Sequence, residues 1–290
     1  MKILLLLSGG WGNVTQTTPM YLALRKEHEV DVEYLPQYDG ESVRSTQTYP
    51  NPIIQETNLG FLKLDTYDYV VKTMPLRIYN GEGGFVREYE DMVRENDTEF
   101  ESYMRVLDFF KVKRKIERKW REKECAKPQK YICMHNGGLN VEAWQGKKYP
   151  KFAQLAYLVQ TRLGIPVVSI GLPQESIGGT VERCSQSMRE SAYLLRNSLL
   201  NVTTDTGSMH LSALMERPTV AIFTMTDTKK NYDKRFHKTV TTIQREDLDC
   251  CPCQWGNCHS PTRPCKGQFW CQDIKPEAIF EVVEKMLCQT

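Results

Sequence analysis

Residues 204–210 read Thr-Asp-Thr-Gly-Ser-Met-His, with an apolar stretch, 198–203, before them and the run Pro-Thr-Val-Ala-Ile-Phe at 218–223 after. A strand, a glycine turn and a helix in that order aim the free N–H groups of the helix's first turn outward, and such a terminus binds phosphate. The turn then sits at a strand's carboxyl end, the edge at which open α/β sheets hold ligands. Gly207 permits close backbone approach, while Thr206 and Ser208 add hydroxyl donors. Asp205 serves either the ligand or the N-cap of a helix over 208–216, and His210 either faces the phosphates or packs in the core. The chemistry implied is capture of a phosphate-bearing ligand by the C-terminal half.

A second cluster holds six of the ten cysteines: Cys250, Cys251, Cys253, Cys258, Cys265 and Cys271. Cys250-x-x-Cys253 has the bite of two thiolates on one turn, and Cys258 and Cys271 complete four sulfurs for a structural zinc or iron ion. Cys251 and Cys265 leave the ligand set ambiguous, and reduced packing thiols are the plain alternative. A zinc-finger reading fails for want of a basic recognition helix.

The elements that must position these groups follow from periodicity. Residues 3–7 form a buried strand, 8–13 a glycine-rich turn, and Thr18-Pro19 caps a helix over 20–26. Strands are expected at 30–35 and 67–73, with 40–60 loop-rich. From 85 to 123 the chain is charged and helical, and Phe109, Val112, Ile116 and Trp120 fall at helical spacing opposite a cationic face. Such a helix packs on its own domain or rests on anionic lipid. A second α/β series begins at 129–134 and continues with helix 151–162, strand 166–170, helix 187–196 and a final helix 276–287. Two series joined near 126–128 predict an α/β protein of two Rossmann-like domains, 1–127 and 128–290, the second carrying the Cys-rich loop 250–271.

Composition sets the outer limits. The chain has 290 residues, 40% hydrophobic and 26% charged, with net charge +2. No global field marks a nucleic-acid binder, and no apolar run reaches the ~18 residues of a membrane span. The apolar opening is too short for an export signal, so the cytoplasm is the expected compartment.

Asp205-Thr206-Gly207, His210, Pro218-Thr219-Val220 and Thr226-Asp227 together resemble the donor-site signature of family 9 glycosyltransferases, the heptosyltransferases of lipopolysaccharide core assembly. The resemblance implies the GT-B architecture, two Rossmann-like domains facing across a cleft. It implies an inverting transfer of heptose or a similar sugar from a nucleotide donor, ADP-heptose, to a lipopolysaccharide-core or other glycan acceptor. No catalytic metal is implied. A nucleotide-sugar epimerase and a non-catalytic binding relative are the rival readings. In Lys147-Lys148-Tyr149-Pro150, similar to the family's Lys-x-Trp-Pro, Lys147 matches the lysine that neutralises the departing diphosphate. Gly171 to Glu175 is similar to Gly-x-x-x-Glu, whose carboxylate contacts the ribose; a solvated loop acid or a helix-start charge is the alternative. Cys250 to Cys253, Cys258 and Cys271-Gln-Asp-Ile-Lys-Pro-Glu277 also resemble the family's cysteine pattern. The acceptor implied is a glycan or glycolipid, which suits peripheral work on the inner face of the cytoplasmic membrane.

Gly10-Trp11-Gly12-Asn13-Val14 resembles the family's Gly-Asp loop, with one departure. Asn13 stands where Asp, the implied base, is usual, and an amide orients a hydroxyl without accepting its proton. Three explanations stay open: another carboxylate such as Asp39 or Glu41, proton uptake by the leaving diphosphate, or a binding-only protein.

Overall fold

The apolar run after Met1 forms β1 (Lys2–Ser8), in which Ile3, Leu4, Leu5 and Leu7 are fully buried. A strand buried on both faces suits the centre of a parallel sheet. The computed structural model describes residues 1–8, 10–35, 66–73, 76–80, 85–87, 94, 96–137, 142–184, 186–253 and 268–289. Within them β1 pairs in parallel with β2 (Glu29–Leu35) on one side and β3 (Tyr69–Thr73) on the other. β4 (Leu76–Asn80) and β5 (Phe85–Arg87) extend the sheet antiparallel, giving the order β2-β1-β3-β4-β5. α1 (Trp11–Glu27) and α2 (Glu99–Phe109) pack against each other.

The second sheet is wholly parallel, ordered β11-β10-β9-β6-β7-β8. Its chain runs β6 (Ile132–His135), α3 (Phe152–Leu163), β7 (Val167–Gly171), β8 (Val181–Cys184), α4 (Met188–Asn197) and β9 (Leu200–Thr204). It continues through α5 (Gly207–Leu214), β10 (Thr219–Phe223), α6 (Thr228–Asn231), β11 (Val240–Gln244) and α7 (Pro276–Leu287). β6 lies between β7 and β9, so the winding reverses between β6 and β9, a switch point at which such sheets leave a crevice. The strands of the first sheet all lie within 1–127 and those of the second within 128–290. α1 packs on α5 as well as on α2, and one buried cluster takes side chains from both sheets.

Two expectations need correction. The helix expected over 20–26 begins at Trp11, and Pro19 lies inside it. Proline costs an interior helix bond, but Thr15, Gln16, Thr17 and Thr18 are all buried, so packing against two neighbouring helices overrides the local stop signal.

The basic helix expected through 109–121 is not a helix beyond Phe109. Lys111 takes the left-handed conformation (φ 57°), Val112 N–H donates to Leu107 O (2.8 Å) and Lys111 N–H to Asp108 O (3.1 Å). This pair of bonds closes a helix end. The chain then runs extended: Val112, Arg114, Ile116, Arg118 and Trp120 turn inward, while Lys111, Lys113, Lys115, Lys119 and Arg121 are exposed. The extended segment straps the second sheet's helices. Arg118 donates to Ala213 O (3.0 Å) and Phe236 O (3.2 Å) and pairs with Glu216 (2.8 Å) just past α5.

A non-glycine residue in the left-handed region costs roughly 1 kcal/mol, which glycine avoids. Lys111→Gly is therefore expected to raise unfolding free energy by about 0.5–1 kcal/mol, read from urea denaturation.

Candidate active site

The switch point gathers residues from four segments. β9 delivers Asp205, Thr206 and then the amino end of α5. Thr206 is the N-cap residue but makes no side-chain capping bond. Its hydroxyl instead lies 3.1 Å from Thr203 Oγ1 and 3.3 Å from His135 Nδ1. The first amides of α5 therefore lack the usual hydroxyl cap, as a phosphate-binding terminus requires. Asp205 does not cap the helix either. It is 3% exposed, accepts from Asn231 Nδ2 (2.6 Å), and lies 3.6 Å from Lys147 Nζ and 3.8 Å from His210 Nε2. Burial alone would raise its pKa, but Lys147, His210 and the Asn231 bond hold the carboxyl below its usual range. It is ionised.

His210, 4% exposed, does not stand open to solvent. Its Nδ1 is 2.8 Å from His237 Nε2, and the Asp233 backbone N–H donates to His237 Nδ1 (2.9 Å). With Nδ1 of His237 accepting, its Nε2 carries the proton and donates to His210, whose own Nε2–H then faces Asp205. Asp233 O accepts from the His237 backbone N–H (2.7 Å) and also lies 3.1 Å from His237 Nδ1. Burial and its neighbour His237 push the His210 pKa down to about 3, and His237 falls to about 4. Both rings are neutral near pH 7. On its other side His210 meets Gly12: a Cβ there would lie 2.6 Å from His210 Cδ2. Gly12 is thus a point of close approach between α1 and α5.

Lys147 ends a 3-10 turn, Glu142–Lys147. Tyr149, where the resemblance has Trp, is fully buried and donates its hydroxyl to Ile274 O (2.9 Å), anchoring that turn against the start of α7. Glu175 closes its own 3-10 turn, accepting from Leu172 N–H (2.8 Å), and lies 3.3 Å from His135 Nε2. A Cβ at Gly171 (φ 124°) would strike Glu175 Oε2 at 2.5 Å, which explains glycine there. Glu175 is buried rather than a solvated loop acid, and its place in the first turn of this 3-10 element fits the helix-start alternative. His135, which the sequence did not single out, links Glu175 to Thr206 across the crevice.

The amino end of α1 faces this group. Asn13 Oδ1 accepts from Gly10 N–H (2.9 Å), and its Nδ2 donates to Glu99 and, at 3.3 Å, to Tyr103 Oη. Gln16 Nε2 donates to the other Glu99 oxygen (2.6 Å). Burial and the charge of Asp205, against weaker relief from Gln16, Lys147 and Tyr103, raise the Glu99 pKa to about 7. The replacement carboxylates expected from the sequence, Asp39 and Glu41, lie outside the described residues. Glu99 gave no signal, because an acid in a helix's first turn is ordinary.

The cysteine ligands come together only in part. Cys253 and Cys271 share a small buried cluster with Met225, against which Leu248, Cys251 and Phe269 pack. Cys251 Sγ donates to Thr224 O (2.9 Å). Among the described residues no group of three His, Cys, Asp or Glu is arranged to hold a metal ion, and Cys258 lies outside them.

The family model for glycosyltransferase family 9 (heptosyltransferase) matches residues 111–261, more than half of the chain and including the β9–α5 turn and Lys147. The chain belongs to glycosyltransferase family 9. It is 34% identical over 88 residues to a lipooligosaccharide heptosyltransferase 2 of Campylobacter jejuni, a stretch covering 30% of this chain and only 25% of that relative. A family 9 glycosyl transferase of Veillonella parvula superposes with a TM-score of 0.66 at 16% identity, covering 100% of this chain and 98% of that one. The dodecameric iron-containing heptosyltransferase TibC of enterotoxigenic E. coli, in complex with ADP-D-beta-D-heptose, gives 0.62 at 10% identity, over 99% and 76%. These likenesses identify the two sheets as the GT-B fold of a family 9 glycosyltransferase. Among the described residues no helix is long and apolar enough to cross a membrane.

The raised Glu99 pKa has a stability consequence. Below its unfolded value of 4.5 both states hold the proton; between there and about 7 only the unfolded state ionises, so stability falls as pH rises through that window. Glu99→Gln escapes this loss. Urea unfolding is expected to show the variant matching the parent near pH 4.5 and exceeding it by up to about 3 kcal/mol at pH 8.

Proposed function

We propose that this family 9 protein transfers a heptose or related sugar, with inversion, from ADP-heptose to a hydroxyl of a lipopolysaccharide-core or other glycan. The observation that carries the reading is the uncapped amino end of α5 at the switch point, with Lys147 beside it, held by Asp205. The acceptor oxygen attacks the anomeric carbon on the face opposite the diphosphate. The bond from that carbon to the diphosphate breaks, and the electron pair leaves with ADP. Lys147 and the Gly207 and Ser208 amides stabilise the charge that accumulates there, without a catalytic metal. Glu175, anchored at the end of β7, contacts the ribose, and Thr206 adds a hydroxyl donor. Residues 128–290 serve as the donor side and 1–127 as the acceptor side, with Gly12 setting their approach. Adenine is the base assigned to the donor because the TibC complex, alike in fold, carries ADP-D-beta-D-heptose. An acceptor on the inner face of the cytoplasmic membrane suits the exposed lysines of 111–119, the feature of the strap that faces outward.

Calorimetry tests this directly. ADP is expected to bind more tightly than UDP or GDP, and Lys147→Ala to weaken it by about 10–100-fold, roughly 1.4–2.7 kcal/mol. Folded protein that binds none of the three would end the reading.

We also propose a structural zinc or iron ion at Cys250, Cys253, Cys258 and Cys271. The shared burial of Cys253 and Cys271 supports it, and so does the iron of TibC; Cys250 does not join them in a three-ligand group, so binding would have to draw it and Cys258 in. Metal analysis is expected to find about one ion per chain, lost in Cys253→Ser; metal-free protein refutes it.

A further inference from the structure

We infer that Glu99 is the general base of the transfer, in the place that Asn13 leaves without one. The inference rests on the sugar-transfer reading above and adds the residue that takes the acceptor's proton.

Three observations lead to it. First, Asn13 occupies the position from which the resemblance expects a carboxylate, and its side chain is spent holding another one. Oδ1 accepts from Gly10 N–H and Nδ2 donates to Glu99. Second, Glu99 is gripped by neutral donors only. Asn13 bonds one oxygen, and Gln16 Nε2 the other at 2.6 Å. No cation lies within ion-pair distance of it among the described residues. Two amides fix the carboxylate's direction without removing its basicity, as an ion pair would. Gln16 is fully buried, and its Oε1 has no hydrogen-bond partner among the described residues, so its side chain is spent on Glu99. Third, Glu99 is tied to the donor side by geometry: Thr98 Oγ1, one residue before it, donates to Asp233 (2.8 Å), whose backbone N–H holds His237 and through it His210, while Tyr103 faces Glu99's amide partner Asn13 from the same helix. Its raised pKa, about 7, suits a base that must accept a proton near neutrality.

The arrangement also explains the asparagine. An aspartate at 13 would set two carboxylates in contact, and they could not both ionise. The negative charge that the resemblance places on α1 has moved to α2, and residue 13 has become the donor that aims it. In the step itself the acceptor O–H proton passes to a Glu99 oxygen as the oxygen bonds the anomeric carbon. The bond to the diphosphate breaks, and ADP leaves with the pair.

The test uses the full chain with ADP-heptose as donor and water as acceptor, following ADP release, beside calorimetry of ADP binding. Glu99→Gln is expected to slow release by about 100–10,000-fold, abolish the acid limb of the pH profile near 7, and leave ADP affinity within about threefold. Adding Asn13→Asp to Glu99→Gln is expected to restore at least tenfold of the lost rate, since a single carboxylate then sits at the original position. Release within about threefold of the parent in Glu99→Gln overturns the assignment. So does a joint loss of release and ADP binding, or a double variant as slow as the single one. A parent protein that binds ADP-heptose yet never releases ADP overturns it too, whereas one that binds no ADP fells the donor reading itself.

Discussion

Asp205 is a carboxylate with almost no access to water, yet it is ionised. A buried charge survives only where partners replace the solvation it has lost. Those partners come from separate parts of the chain: Lys147 from the turn after β6, Asn231 from α6, and His210 from α5. Each has duties elsewhere. Lys147 is fixed by Tyr149, whose hydroxyl reaches Ile274. His210 is fixed by His237, itself held by the backbone of Asp233. The site is therefore tied to much of the second sheet, and its geometry is a property of that sheet rather than of any loop. Lys147 is therefore already oriented by its carboxylate partner, so little side-chain ordering would remain to oppose binding of an anion on the proposed reading.

Much of this was legible in the sequence, and the reasons differ by region. The second sheet announced itself because its strands, such as Thr219–Phe223, are short apolar runs separated by amphipathic helices. The turn from β9 into α5 was legible because Gly207 and its polar neighbours follow a short apolar run and precede small helix-forming residues. The amino end of α1 was not, since Pro19 is a local stop signal and only contacts with α2 and α5 outweigh it. The strap through 112–121 shows how one pattern serves two periods. Val112, Ile116 and Trp120 satisfy helical spacing, but with Arg114 and Arg118 they also satisfy strict alternation, and the helix-ending bonds at Lys111 decide between them. The role of Tyr149 as a tie to Ile274 was hidden because its partner lies 125 residues away.

Asn13 and Glu99 carry a related lesson about charge. Read along the chain, an asparagine at a base position signals loss of function. In space, the amide is one half of a pair whose other half is a carboxyl 86 residues later. Two adjoining helices, α1 and α2, can each present an acid at the same place, so the loss of one at residue 13 is not by itself the loss of one from the site. The price in stability is visible in the direction of the Glu99 titration, because a carboxyl kept near neutrality is one the fold would rather not ionise.

Gly12 bears on how such a protein diversifies. At that point α1 and α5 are separated by the bulk of one hydrogen atom, and the ring opposite is braced by His237 and Asp205. A methyl group there would act as a shim between the two helices. Because His210 also faces Asp205, which pairs with Lys147, the push would travel into the polar cluster at the switch point, so a single codon couples helix spacing to the placement of a buried charge.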